Sequence, residues 1–133
     1  MVLLDTNILF SAMFAAHERH ESVHEWLSSL KRFGTCGMTQ IGAFRLLLND
    51  IPMHGHPLDP VDAHAVIADF VRDERHTFIS CGPISPDFVG KTSGHRASFD
   101  DYLVQVAHAA GGKLATADRR LVSRWPTHTL LVE

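Results

Sequence analysis

Apolar positions in the first part of the chain follow first the spacing of a strand and then that of helices. An apolar run at 2–4 ends at Asp5, and helical spacing over 6–13 follows it, which predicts a strand, a turn and a helix. Helical spacing returns from 20 to 33 and stops at Gly34, a typical residue for a helix end. One short strand and two helices are therefore predicted before Gly34.

The middle of the chain carries two more helical patterns. Thr39 is expected to cap a third helix that ends before Pro52, and apolar spacing over about 62–73 predicts a fourth. A short strand is expected at 77–79. The segment 81–96 is rich in glycine and proline, so we expect it to be mainly loop with one helical turn at most.

The last third of the chain alternates strands and helices again. Helical spacing over 100–110 is stopped by two glycines, 113–116 predicts a strand, Asp118 opens a short helix, and 129–132 predicts an edge strand. This alternation favours an α/β fold with a central, mainly parallel sheet flanked by helices on both faces. A chain of 133 residues fits one domain, residues 1–133.

Composition and charge narrow the class of protein. Hydrophobic residues make up 45% and charged residues 20%, as in ordinary globular proteins, and Cys36 and Cys81 are expected to be buried, reduced thiols. No apolar stretch suits a membrane span or a secretory signal, so we expect a cytoplasmic protein without membrane association. The net charge of -3 argues against tight binding of duplex nucleic acid, but it allows a nuclease whose acids are neutralised by metal.

Three aspartates are expected at the carboxyl-end edge of the predicted sheet, where active sites of parallel sheets lie. Asp5 follows the first strand, Asp118 follows the 113–116 strand with one residue between, and Asp100 begins the helix that leads to that strand. Active sites of open parallel sheets lie beyond the carboxyl ends of the strands. Clustered carboxylates repel one another and need a cation, and hard oxygen ligands favour Mg²⁺ or Mn²⁺. Such ions can activate water against a phosphodiester, so these acids could form a nuclease site.

Two other interpretations apply to the same aspartates. Each could simply cap its helix, a role that suits aspartate, although three acids at matching places favour the metal site. A phosphatase-like or receiver-like domain would also use Asp5, but it would carry further acids beside it, where Thr6 and Asn7 stand.

Five segments in the same order resemble the PIN-domain ribonucleases, and among them the VapC-type toxins of bacterial toxin–antitoxin pairs. The segments are LLDTN at 3–7, HESVHEWL at 20–27, TCGMTQIGAFR at 35–45, GHRASFDDYL at 94–103 and GKLATADRRL at 112–121. Each is similar to a family segment, and together they span nearly the whole chain.

This resemblance implies a toxin that is a metal-dependent endoribonuclease, in which Asp5, Asp100 and Asp118 hold Mg²⁺ or Mn²⁺. It also implies an RNA substrate, a homodimer and a small cognate antitoxin protein. Polar residues would orient the acids or hold water around them: Thr6, Asn7, Gln40 and Thr116. Candidates for contact with RNA phosphates are Arg45, His95 and Arg96.

The chain departs from the family pattern at the site itself. The usual fourth acid, a glutamate, is Gln40 here, and the threonine before the middle aspartate is Phe99. Asp101 is the nearest acid that could substitute, but it lies about a hundred degrees round the helix from Asp100, so we expect it to face solvent. The alternative is therefore a degenerate PIN domain that binds antitoxin or RNA without efficient cleavage.

Overall fold

Five short strands and seven helices form the chain, and the computed structural model describes all of residues 1–133. The strands are Val2–Leu4 (β1), Phe33–Cys36 (β2), His76–Ile79 (β3), Lys113–Thr116 (β4) and Thr129–Leu131 (β5). The helices are Thr6–Met13 (α1), His20–Ser28 (α2), Gly37–Leu47 (α3), Pro60–Phe70 (α4), Pro86–Val89 (α5), Ser98–Ala109 (α6) and Arg119–Arg124 (α7). None of these helices combines the length and the hydrophobicity that crossing a bilayer requires.

The strands form one parallel sheet in the order β3-β2-β1-β4-β5. In the centre, Leu3 of β1 aligns with Gly34 of β2 and with Leu114 of β4. The predicted parallel sheet and the edge position of the last strand are confirmed. Because parallel strands end at the same edge, the residues that follow β1 and β4 lie side by side.

Helices cover both faces of the sheet, as predicted. Successive side chains of a strand point to opposite faces. Leu3 accordingly packs with Val104 of α6 on one face, and Leu4 packs with Ile8 of α1 and Leu27 of α2 on the other. A third apolar cluster joins α1, α3 and α4 outside the second face.

The second helix ends at Ser28 and not at residue 33, so the prediction was wrong there. Phe33 begins β2, in which all four residues are buried. This strand lies between β1 and β3, and its pairing with them stabilises an extended backbone where local spacing suggests a helix.

Other boundaries differ from the prediction by a few residues. Helix α4 begins at Pro60 and α6 at Ser98, which places Asp100 inside the first turn of α6. Cys36, and not Thr39, is the N-cap of α3; the Thr39 hydroxyl accepts the backbone N–H of Cys36 at 3.1 Å and closes the first turn.

The two cysteines are both free but differ in exposure. Cys36 is buried, as expected, whereas Cys81 is exposed, which contradicts the prediction for that residue. Cys81 lies in the loop after β3, where the chain has already left the sheet.

Candidate active site

Asp5 is the buried acid of the site. It follows β1, is 7% exposed, and donates its backbone N–H to the carbonyl of Ala115 on β4 at 2.9 Å. Its carboxylate accepts the backbone N–H of Thr6 at 2.8 Å and the hydroxyl of Thr116 at 2.7 Å. Burial raises the pKa of Asp5, and the charge of Asp118 adds to this rise, while the two hydrogen bonds oppose it. The carboxyl group of Asp5 is therefore held in position, while burial disfavours its charged form.

Thr116 connects the acids at the ends of neighbouring strands. Its hydroxyl donates to Asp5 and accepts the backbone N–H of Asp118 at 3.1 Å. Asp118 is the N-cap of α7, where its Oδ1 accepts the backbone N–H groups of Arg120 at 2.9 Å and Leu121 at 3.2 Å. Asp118 is exposed and its Oδ2 is not used in the cap, so one carboxylate can both cap the helix and bind a ligand.

Asp100 joins the same cluster from the first turn of α6. It is partly buried, and its pKa is raised by burial and then by the charges of Asp5 and Asp118, with Arg124 opposing. Pairing of β1 with β4 and packing of α6 against β4 have thus brought three acids into one cluster, although they lie far apart along the chain.

A cleft of about 360 Å³ lies at this region. Asp100 and Asp118 line it, together with Ser93, Gly94, His95, Arg96, Ala97, Arg120 and Arg124. Asp5 is not among the lining residues, and no three Asp, Glu, His or Cys side chains are placed to hold one ion together. The donor chemistry of the cluster nevertheless fits a hard cation, since the acids and Thr116 offer only oxygen atoms.

The other candidates of the sequence analysis divide into two groups. His95 and Arg96 line the cleft beside two of the acids. Asn7 lines a separate cleft between α1 and the loop after α3, and Arg45 is exposed on α3 without an ion pair.

Gln40 forms no hydrogen bond with any of the acids. Its Nε2 donates to the hydroxyl of Thr35 at 3.0 Å, and that hydroxyl lies 2.7 Å from Nε2 of His76. Gln40 therefore links α3 to the β2–β3 side of the sheet, and the position that should carry a fourth acid adds no charge to the cluster.

The sequence analysis placed the side chain of Asp101 in solvent, and this prediction was wrong. The residue is 2% exposed, and its carboxylate accepts Nη2–H of Arg124 at 2.8 Å, Nε1–H of Trp125 at 2.8 Å and the hydroxyl of Thr92 at 2.7 Å. Burial alone would raise the pKa of Asp101, but the hydrogen bonds and the charge of Arg124 hold it below its ordinary value. The side chain does leave α6 away from Asp100, but α7 and the segment before α6 cover that side.

Arg124 also lines the cleft, and the sequence analysis did not consider it. A signal was present, because Arg120 and Arg124 are four residues apart on α7 and so lie on one face of that helix, just after Asp118. Its partner Asp101 could not be found in the same way, since a partner more than twenty positions away leaves no mark in local spacing.

Thr6 sets how closely α3 approaches the acid-bearing end of α1. A Cβ added at Gly42 of α3 would lie 2.7 Å from both Oγ1 and Cγ2 of Thr6. Since the backbone N–H of Thr6 binds Asp5, this contact lies directly beside the acid cluster.

Gly42→Ala is expected to destabilise the protein by about 1–3 kcal/mol, because the methyl group needs space that Thr6 occupies. Gly37→Ala is the matched control: at the start of the same helix, an added Cβ meets nothing within 4 Å. It is expected to be neutral or stabilising by up to about 1 kcal/mol. Urea unfolding followed by tryptophan fluorescence measures both, and equal midpoints for the two variants would refute the close-contact argument.

The chain was compared with known proteins by sequence and by fold. The chain matches no family model. Ribonuclease VapC29 of Mycobacterium tuberculosis, from strains CDC 1551 / Oshkosh and ATCC 25618 / H37Rv, is 34% identical over 125 residues, which cover 90% of this chain and 87% of the relative.

Two solved structures share the fold. M. tuberculosis VapC20, a Sarcin-Ricin loop cleaving toxin, superposes with a TM-score of 0.63 at 13% identity, covering 92% of this chain and 94% of that one. A chain of FitAB bound to an IR36 DNA fragment superposes with a TM-score of 0.55 at 18% identity, covering 98% and 94%. With the parallel sheet, the clustered aspartates and the extent of the VapC29 match, the chain belongs to the VapC family of PIN-domain ribonucleases, the toxins of toxin–antitoxin pairs.

Proposed function

We propose that the chain is a Mg²⁺- or Mn²⁺-dependent endoribonuclease that hydrolyses RNA phosphodiesters, with Asp5, Asp100 and Asp118 as its metal-binding acids. The observation that carries the proposal is the clustering of these acids from three elements at one edge of the sheet. Burial and mutual repulsion raise the pKa of Asp5 and Asp100. An arrangement that disfavours its own anions gains free energy from a bound cation, which supports a metal site over three separate helix caps.

The residues of the chain have distinct roles in this proposal. Thr116 and the backbone of Thr6 hold Asp5 in one orientation, and the helix cap holds Asp118. When bound, a divalent cation would lower the pKa of a water molecule and offset charge on the phosphodiester. His95 and Arg96, on the wall of the cleft, would donate hydrogen bonds to phosphate oxygens of the RNA.

One observation favours the second candidate function, a degenerate PIN domain that binds without efficient cleavage. Gln40 is turned to Thr35, and Asp101 is bound by Arg124, Trp125 and Thr92, so neither supplies a fourth acid. Fewer carboxylates weaken the binding of divalent cations, a second ion above all.

Cleavage of a fluorescently labelled single-stranded RNA tests the proposal. We expect the unchanged chain to cut in Mg²⁺ or Mn²⁺, to fall to background in excess EDTA, and to recover when the metal is restored. Gln40→Glu is compared in the same assay. Activity that appears only in Gln40→Glu would support the degenerate domain, and cleavage that resists EDTA would contradict a metal-dependent site.

Family membership also supports partners for this activity. We include in the proposal a homodimer, a small cognate antitoxin protein that inhibits the nuclease, and action on RNA in the cytoplasm. Size-exclusion chromatography with light scattering tests the dimer directly.

A further inference from the structure

The basic side chains that line the cleft differ in their exposure and in whether they form an ion pair. Four of them line it: His95, Arg96, Arg120 and Arg124. His95, Arg96 and Arg120 are exposed and form no ion pair. The side chain of Arg124 is only 30% exposed and is ion-paired to Asp101. Arg124 is therefore the cationic group of the cleft with a defined position.

Asp101, which does not line the cleft, holds the side chain of Arg124 in place. Its side chain is 3% exposed, and one oxygen accepts both the Arg124 guanidinium and the indole of Trp125, while the other accepts the hydroxyl of Thr92. One buried carboxylate thus connects α6, α7 and the segment that carries His95 and Arg96. The pair with Arg124 uses one N–H of a guanidinium that has five, and the remaining donors have no acceptor within the chain.

Arg124 also acts on the acid cluster. It lines the cleft together with Asp100 and Asp118, so its positive charge lies at the border of the acids. An incoming RNA phosphate is repelled by the same acids, so a fixed cation at their border reduces that repulsion where the backbone must approach. The planar guanidinium with free donors suits phosphate oxygens.

We infer that Arg124 binds a backbone phosphate of the RNA next to the acid cluster, and that Asp101 is the positioning residue that orients it. The identity of the ligand as single-stranded RNA rests on the proposed function. The competing explanation is that Arg124 serves only to neutralise the buried Asp101, in which case the ion pair is structural and RNA binding does not depend on it.

RNA binding measured without cleavage separates these explanations. The probe is a fluorescein-labelled single-stranded RNA of mixed sequence, followed by fluorescence anisotropy in EDTA over a series of salt concentrations. Arg124→Gln is expected to weaken binding about 10- to 100-fold. It should also reduce the slope of log K against log salt by about 0.7, the value for one lost phosphate contact on a single strand.

Arg119→Gln is the matched control on the same helix. Arg119 is 73% exposed and pairs with Glu133, and it does not line the cleft, so its loss should leave the salt slope unchanged. Arg124→Lys covers the case in which Arg124→Gln does not fold; it should keep the slope and bind less tightly, since lysine cannot form the same planar contact. Asp101→Asn should also weaken binding at an unchanged slope, because the charge of Arg124 remains but its orientation is less firmly held.

The outcomes distinguish this inference from the proposed nuclease activity. A folded Arg124→Gln variant with the affinity and slope of the unchanged chain would overturn the phosphate contact, even if the unchanged chain cuts RNA. An unchanged chain that binds no RNA would overturn it as well. Equal binding by Asp101→Asn and the unchanged chain would remove the positioning role. A reduced slope in Arg124→Gln supports the contact whether or not cleavage is observed.

Discussion

Asp118→Asn is expected to lower RNA cleavage about a thousandfold, because a bound ion contributes several kcal/mol to stabilising the transition state. This substitution should change the stability of the protein little, since asparagine caps helices about as well as aspartate. Its side-chain oxygen can still accept the backbone N–H groups of Arg120 and Leu121. A large loss of activity without a loss of stability would separate metal binding by Asp118 from helix capping.

Asp59→Asn is the matched control for this substitution. Asp59 caps α4 by accepting the backbone N–H of Asp62 at 2.8 Å, and it does not line the cleft. It should leave cleavage unchanged. Thermal unfolding adds a second measurement: Mg²⁺ should raise the Tm of the unchanged chain and of Asp59→Asn, but not that of Asp118→Asn. Full cleavage by Asp118→Asn would show that Asp118 is only a cap.

The outline of the fold could be predicted because most of its elements carry their own local signals. β1, β4 and β5 are apolar runs next to residues that start or stop helices, and alternation with helices determines a parallel sheet. β2 carries no such signal: Phe33 stands three residues after Leu30, which continues a helical spacing. Its four residues are buried because β1 and β3 pair with it, and those strands are distant in the sequence.

The proximity of the candidate acids could be predicted for a different reason than their surroundings. Asp5 and Asp118 follow parallel strands, and topology alone brings such positions together. Helical geometry correctly predicted that the side chain of Asp101 points away from Asp100. It could not predict which residues lie on that side. Trp125 and Arg124 cover it, and both reach Asp101 only after α7 has packed onto α6.

Asp101→Ala is expected to lower the free energy of unfolding by about 3 kcal/mol. Trp125 is 5% exposed, so its indole N–H would be left without an acceptor and out of reach of bulk water. Arg124 would lose its counter-charge, although its 30% exposure lets water replace part of that interaction. Thr92 would lose the bond that ties the cleft-lining segment to α6.

Comparison with Asp101→Asn separates the contribution of the charge to the free energy of unfolding from that of the hydrogen bonds. The amide keeps an oxygen for the indole of Trp125, so we expect a loss of only about 1 kcal/mol, the usual value for weakening one hydrogen bond. Asp69→Ala, at an exposed position of α4, is the control and should change stability by less than about 0.5 kcal/mol. Urea denaturation at neutral pH measures all three. If the alanine and asparagine variants unfold at the same urea concentration, the buried hydrogen bonds contribute little, and the ion pair with Arg124 must carry the stability of this corner of the cleft.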